Sequence, residues 1–358
     1  MINDMVVVDA VVHPYNLSPA NQDPAAKAQL ESVYAAHRMS FDARNAAYML
    51  SHEEFFSDLS YETLACAEFV ESPVDFAVIH ALPGLGMVKS YMNDPARAAA
   101  FRDRYPNRFK VYATVDTPIA KGAIEQLEWQ VKEHHVDGLK LYPAFFYEGK
   151  GVGWRLDGED FATPLLEAAQ GFGIRHVAVH KVLWLPPAPR DAFNIDDVDS
   201  PLARFPELTF EIVHAGVAFV EETCALLQRH PNLRLNLETV FAYILTKPKV
   251  FAKVLGTLIT RCGSERLMFA TGNNLAHPRP ILEAFARYQF ADDVLREFSF
   301  RQLTEVDRRN ILGLNALRLH GLEAREVLAG IRDDEFSRAR AGRIPGPWSV
   351  LRERTALV

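Results

Sequence analysis

Cysteine is scarce in this chain of 358 residues: Cys66, Cys224 and Cys262 stand far apart and form no CxxC pair. That pattern excludes a disulfide framework or a thiolate metal cluster, and it fits reduced thiols in a cytoplasmic protein. No apolar run approaches the roughly 20 residues a membrane span needs, and Met1-Ile-Asn-Asp-Met5 lacks the basic start of a secretory signal. Positive charge is not in excess either. Lys and Arg number 39 against 46 Asp and Glu, a net charge of −7, which speaks against a nucleic-acid-binding surface. Glycine-rich phosphate loops of the GxGxxG or GxxxxGK[ST] kind are missing, as are low-complexity segments. What is present is ordinary globular usage, 49% hydrophobic and 24% charged, with length enough for one large α/β domain or two smaller ones.

Short apolar runs recur along that length, at 5–11, 74–80, 109–116, 138–142, 175–180, 209–214, 233–238 and 266–271. Continuous apolar runs of this size suit parallel strands covered on both faces. Amphipathic helical patterns lie between them, at 94–105, 119–134, 160–172, 219–230, 248–262 and 278–288. Strand, helix and turn in repetition predict a (β/α)8 TIM barrel over residues 1–322; an open doubly wound sheet would usually carry a phosphate loop. Residues 14–60 interrupt the repeat after the first strand, with helical patterns at 24–38 and 41–50, and are expected to cover the barrel mouth as a lid. Residues 323–358 form a C-terminal extension, either packed on the barrel or reaching a partner subunit in a homodimer.

Chemistry in such a barrel gathers at the carboxyl ends of the strands. His13, His80, His180 and His214 sit at or just past strand ends, Lys140 lies in the fourth strand, Glu238 ends the seventh, and Asn273, Asn274 and His277 follow the eighth. A histidine alone in its loop, such as His80 or His277, reads as a hydrogen-bonded structural residue. His13, His180 and His214 converge from three strands, and three imidazoles around one cavity make a natural site for zinc or iron. Lys140 and Glu238 are either each other's counter-ions or part of the same site. The loops 144–154 and 181–189 carry Phe145, Phe146, Tyr147, Trp154 and Trp184, an aromatic lining suited to a bulky apolar group.

These strand ends resemble those of the amidohydrolase superfamily, in its amidohydrolase-2 type, from about residue 5 to 322. Val8-Asp9-Ala10-Val11-Val12-His13 stands where that family has an HxH motif. Gly138-Leu-Lys-Leu-Tyr-Pro143, His180 and Phe210-Glu-Ile-Val-His-Ala-Gly216 are similar to its fourth-, fifth- and sixth-strand motifs, and residues 311–319 to a closing helix. Two family ligands are missing: the first HxH histidine is Val11, and the eighth-strand aspartate is replaced within Thr271-Gly-Asn-Asn274.

The resemblance implies His13, Lys140, His180, His214 and Glu238 as metal ligands for two ions of iron or zinc, with Lys140 carboxylated as a bridge. It implies hydrolysis of an acyl bond in a small-molecule substrate, a coenzyme A thioester or an ester of a bulky apolar acid. Glu238 and His214 would move protons, Lys181 or Tyr142 would assist the oxyanion, and Tyr142, Phe145, Phe146, Trp154, Trp184, Asn273 and Asn274 would contact substrate. Two rivals remain open. One is non-oxidative decarboxylation with a single metal and a carboxylate-binding arginine (Arg155 or Arg190); the other is a barrel decayed into a ligand-binding pocket.

Overall fold

Eight of the predicted apolar runs form the staves of one parallel sheet. The structure, a computed structural model, describes residues 1–147, 150–186 and 188–353, without the side chain of Tyr147. The barrel strands are β1 (Val8–Val12), β2 (Phe76–His80), β3 (Phe109–Thr114), β4 (Gly138–Leu141), β7 (His176–His180), β8 (Thr209–Val213), β9 (Leu233–Asn236) and β10 (Leu267–Met268). A separate antiparallel hairpin, β5 (Ala144–Tyr147) with β6 (Lys150–Gly153), stands above β4.

The sheet order is β1-β2-β3-β4-β7-β8-β9-β10, all parallel. Single bonds complete the ring: Ala10 N–H donates to Phe269 O at 3.1 Å and Gly272 N–H to Val11 O at 2.9 Å. The TIM barrel expected from the strand repeat is therefore present. The inside is filled by Val8, Ala10, Val78, Tyr112, Ala178, Met268 and Ala270, and Ala316 and Leu317 stopper its far end. A larger apolar cluster lies between the strands and the surrounding helices.

The helices fall within a few residues of their patterns: Pro95–Arg104, Ala120–His134, Ala162–Gly171, Val220–Arg229, Pro248–Cys262 and Pro278–Ala286. Short helices such as Tyr61–Phe69 and Asp199–Arg204 are additional. No helix among the described residues is long and apolar enough to cross a membrane.

The insertion after β1 carries the helix Lys27–Arg38 and a 3-10 segment Ala43–Tyr48. His37 ties it down: Nδ1–H donates to Leu275 O at 3.0 Å, while Nε2 accepts from Leu50 N–H at 2.8 Å. The extension folds back on its own chain up to residue 353; residues 354–358 lie outside the described part. Arg108 bonds Asp334 at 2.6 and 2.8 Å. Trp348, buried, donates its indole N–H to Tyr48 O at 2.7 Å, and Arg352 donates to Ala47 O at 2.7 Å. The extension thus grips the insertion from outside.

Candidate metal centre

The three converging imidazoles line one cavity at the carboxyl ends of the strands, with Glu238 beside them. His180 ends β7, and His214 follows β8 with φ of +66°, a region non-glycine residues rarely adopt. Thr239, next to Glu238, has φ of +70°. Backbone strain of this kind concentrates where a side chain is held for chemistry.

Hydrogen bonding fixes which ring nitrogen of each histidine is free. His13 Nδ1 lies 3.1 Å from His80 O, and His180 Nε2 lies 2.7 Å from Leu183 O. A carbonyl only accepts, so both nitrogens carry hydrogen, leaving Nε2 of His13 and Nδ1 of His180 as lone pairs. His214 Nδ1 meets the Glu238 carboxylate directly and Thr239 Oγ1 at 3.1 Å, which puts its hydrogen there when Glu238 is ionised. His214 Nε2 is then also a lone pair, and it stands 3.0 Å from Nδ1 of His180. Two lone pairs at that distance repel unless a cation lies between them. Burial disfavours a proton in that role, since both rings titrate well below the usual histidine range.

A metal ion fits. Two nitrogens each about 2.1 Å from one cation stand about 3.0 Å apart at the right angle of octahedral coordination and about 3.4 Å apart at the tetrahedral angle, so the observed spacing is close to both. Outer nitrogens committed to carbonyl or carboxylate acceptors are the usual support of ligating imidazoles. Among the described residues no three His, Cys, Asp or Glu donors already close on one point; His180 and His214 form the close pair, and His13 shares their cavity wall.

Glu238 owes its place to a glycine. A Cβ on Gly272, whose φ is +63°, would fall 2.3 Å from Glu238 Oε1. The carboxylate from the seventh barrel strand therefore occupies the space that a side chain on residue 272 would fill. Burial raises its pKa to about 7, against the pull of His13 and Lys140. Lys140 is also buried, and its Nζ finds no hydrogen-bonding partner among the described residues. Of its two readings, the pairing with Glu238 as counter-ion is not made. The amine lies 5.0 Å from the centre of the Tyr142 ring, and burial lowers its pKa to about 7.

Of the other anticipated contacts, Tyr142, Phe146 and Trp184 line the cavity. Phe145 and Trp154 do not, since both turn outward onto Phe161. Asn273 donates to Glu68 Oε1 at 2.5 Å, and Asn274 Oδ1 accepts from Tyr15 N–H at 3.3 Å, so both brace the rim from behind. Lys181 is a plain correction. Its ammonium bonds Asp197 at 2.6 Å and Ala192 O at 2.8 Å, away from the cavity, because it follows His180 and projects to the opposite face of the sheet.

His80 and His277 are structural. The latter pairs with Glu71 at 2.9 Å; the former stacks on Tyr112 at 4.6 Å, but neither of its ring nitrogens has a hydrogen-bond partner among the described residues, so the hydrogen bonding expected of it is not made. Arg155 pairs with Asp157, and Arg190 lies over Trp184 at the rim. Residues missed by the sequence reading also line the cavity of about 260 Å³, among them Tyr15, Gln29 and Ser32 from the insertion and Leu82, Leu85 and Met87 after β2.

A family model described as Amidohydrolase (Amidohydro_2) matches residues 12–322. The chain belongs to the amidohydrolase-2 family. No protein of curated function matches the sequence. Among solved structures, an uncharacterised TIM-barrel protein from Bordetella bronchiseptica is 19% identical over 88% of this chain and 99% of its own, with a TM-score of 0.63. A dihydroxybenzoic acid decarboxylase from Polaromonas sp. JS666, with bound manganese and the inhibitor 2-nitroresorcinol, is 14% identical over 91% and 99%, with a TM-score of 0.51. A probable 2-pyrone-4,6-dicarboxylic acid hydrolase from Acinetobacter baumannii, with citric acid bound, is 13% identical over 89% and 100%, with a TM-score of 0.51.

At these identities the likeness is one of fold. Family membership itself supports a metal-dependent enzyme. Against the amidohydrolase pattern, Val11 is fully buried in the barrel and brings no donor, and Thr271-Gly-Asn-Asn274 at the end of the eighth strand brings no acid.

Proposed function

We propose that the protein is a metal-dependent hydrolase of an acyl bond, in which His13, His180 and His214 hold a divalent cation and Glu238 manages the proton of the attacking water. The observation that carries this is the close approach of Nδ1 of His180 to Nε2 of His214, at 3.0 Å, with the outer nitrogen of His180 on a carbonyl and that of His214 in contact with the Glu238 carboxylate. A cation there supplies Lewis-acid polarisation of a carbonyl and makes water acidic enough to ionise near neutrality. Glu238 takes the proton from water and returns it to the leaving group, while its contact with His214 keeps that ring in the ligating tautomer. Tyr15 and Tyr142 line the same cavity, and burial keeps both phenols protonated as donors toward a developing oxyanion.

Hydrolysis is preferred over decarboxylation because no Arg or Lys lines the cavity among the described residues. A carboxylate substrate would find no counter-charge there beyond the cation itself, and a neutral acyl group needs none. The apolar wall suits a bulky apolar acyl group presented as a thioester, a coenzyme A ester included, or as an oxygen ester. Imidazole donors favour zinc or iron; a second ion would require Lys140 to be carboxylated. Elemental analysis of protein purified without chelator tests the assignment. At least one tightly held ion per chain is expected, and His180→Ala should release it while leaving the circular dichroism unchanged. Protein that retains no ion even after reconstitution with zinc, iron or manganese would refute it.

A further inference from the structure

The lid helix Lys27–Arg38 walls two hollows. One stripe of it, Gln29, Ser32, Val33 and Ala36, faces the inner cavity that holds the imidazoles. Its other flank borders an outer groove of about 420 Å³, walled by Ala35, Phe41, Ala46 and Met49 among others. Met39 belongs to both walls. It continues the helical backbone as the C-cap, with φ of −71° and ψ of −7°. At about 100° per residue it falls between Ala35 and Ala36 around the helix axis.

Two alanines and a methionine therefore form the saddle between the hollows. All three are exposed, Met39 by 63%. Ala35 and Ala36 raise only a methyl group above the backbone, and an unbranched methionine so little packed swings aside readily. A flexible chain leaving the inner cavity on its lid side can cross here without disturbing a packed residue.

The groove beyond is held in shape and is chiefly apolar. Its far wall, residues 43–49, is tied from behind by the C-terminal extension: Arg352 donates to Ala47 O at 2.7 Å and to Met49 O at 2.8 Å, and Trp348 donates to Tyr48 O at 2.7 Å. Asp42 also lines the groove, but its carboxylate already accepts from Asn45 Nδ2 at 2.6 Å and Arg44 Nε at 3.0 Å. Arg38, on the helix flank, can lay its methylene stem on the wall and keep its guanidinium in water. The inner cavity alone, about 260 Å³, is smaller than the roughly 300–1,000 Å³ usual for a small-molecule site; the two hollows together lie within that range.

Resting on the metal-dependent hydrolase reading above, we propose that the outer groove is a second subsite for the substrate. The acyl group is an extended apolar chain whose reacting end sits among the imidazoles and whose far end crosses the Ala35–Ala36–Met39 saddle to lie against Phe41, Ala46 and Met49. The substrate class is thus a thioester or ester of a long-chain apolar acid, longer than the inner cavity can enclose.

Straight-chain alkanohydroxamates test this, since they bind metal through one end and leave the other free to explore the lid. Zinc-reconstituted full-length protein is titrated calorimetrically with members of about six to fourteen carbons. A fully buried methylene is worth about fourfold in affinity and one in an open groove about twofold. Affinity should therefore keep rising past eight carbons, with the twelve-carbon probe binding at least about thirtyfold more tightly than the six-carbon one. Ala46→Trp, which fills the groove from an exposed position, should cost the twelve-carbon probe at least about tenfold. The six-carbon probe is too short to reach the groove, and its binding reports that the inner cavity is intact. Ala43→Trp, also exposed on the same wall, replaces the first variant if that protein no longer binds the short probe.

Affinity that levels off by eight carbons overturns the proposal, as does a long-chain gain that survives the tryptophan. Failure of every hydroxamate to bind the unaltered protein would instead overturn the metal assignment, and this proposal with it.

Discussion

Glu71 and Glu238 are both about 1% exposed, yet their surroundings are opposite. Glu71 is surrounded by donors: His277 Nε2 at 2.9 Å, Trp348 N–H at 2.7 Å, and Ser349 N–H and Oγ at 2.8 and 2.7 Å. Burial works to raise its pKa, but His277 and Ser349 overcome that and hold it below the usual carboxylate range. Glu238 has the nearby His214 ring and little else; its Oε2 has no well-formed hydrogen bond, and burial prevails. A buried acid whose oxygens are all answered is architecture. One left short of partners, beside lone-pair nitrogens, is held for something the protein itself does not contain.

The sharpest way to break the comparison is to exchange charge for amide at each acid. Glu238→Gln should lower turnover of an ester substrate about a thousandfold while leaving the melting temperature unchanged or higher, because an ill-satisfied buried acid is removed. Comparable turnover in the two proteins would return Glu238 to a structural role. Glu71→Ala should do the reverse. Urea denaturation should show a loss of about 3 kcal/mol, the cost of stranding buried partners, with kcat per folded molecule preserved.

A smaller effect concerns His37, whose Nε2 must stay unprotonated to accept from Leu50 N–H. Burial holds its pKa down to about 4, against about 6.5 in an unfolded chain. Between those values the unfolded state binds the extra proton, so stability falls as pH drops from 6.5 toward 4, by on the order of 3 kcal/mol in total. Equilibrium unfolding across that interval should show the slope, His37→Gln should flatten it, and proteolysis within residues 14–60 should accelerate first in acid.

Much of the fold was legible because each barrel strand is a short apolar run with its own period, whereas the hairpin β5–β6 was not. Its residues 144–153 read as an aromatic loop, and alternation is hard to see in so short a pair. Histidines at strand ends could be placed from sequence since strand termini share a rim. Lys181 could not be placed by proximity alone, although alternation along β7 separates it from His180. Phe145 and Trp154 show that aromatic content does not say which way a loop faces. Gln29 left a readable trace, the stripe at 29, 32, 33 and 36, but nothing in sequence indicates what that stripe covers.

Gly272 has a bearing on any redesign of the site. A Cβ there would fall 2.3 Å from the Glu238 carboxylate, at a backbone φ of +63° that already favours glycine, so any side chain at 272 would have to push the acid at 238 out of its present place. An engineer moving the acid to the end of the eighth strand would therefore have to treat positions 238 and 272 together.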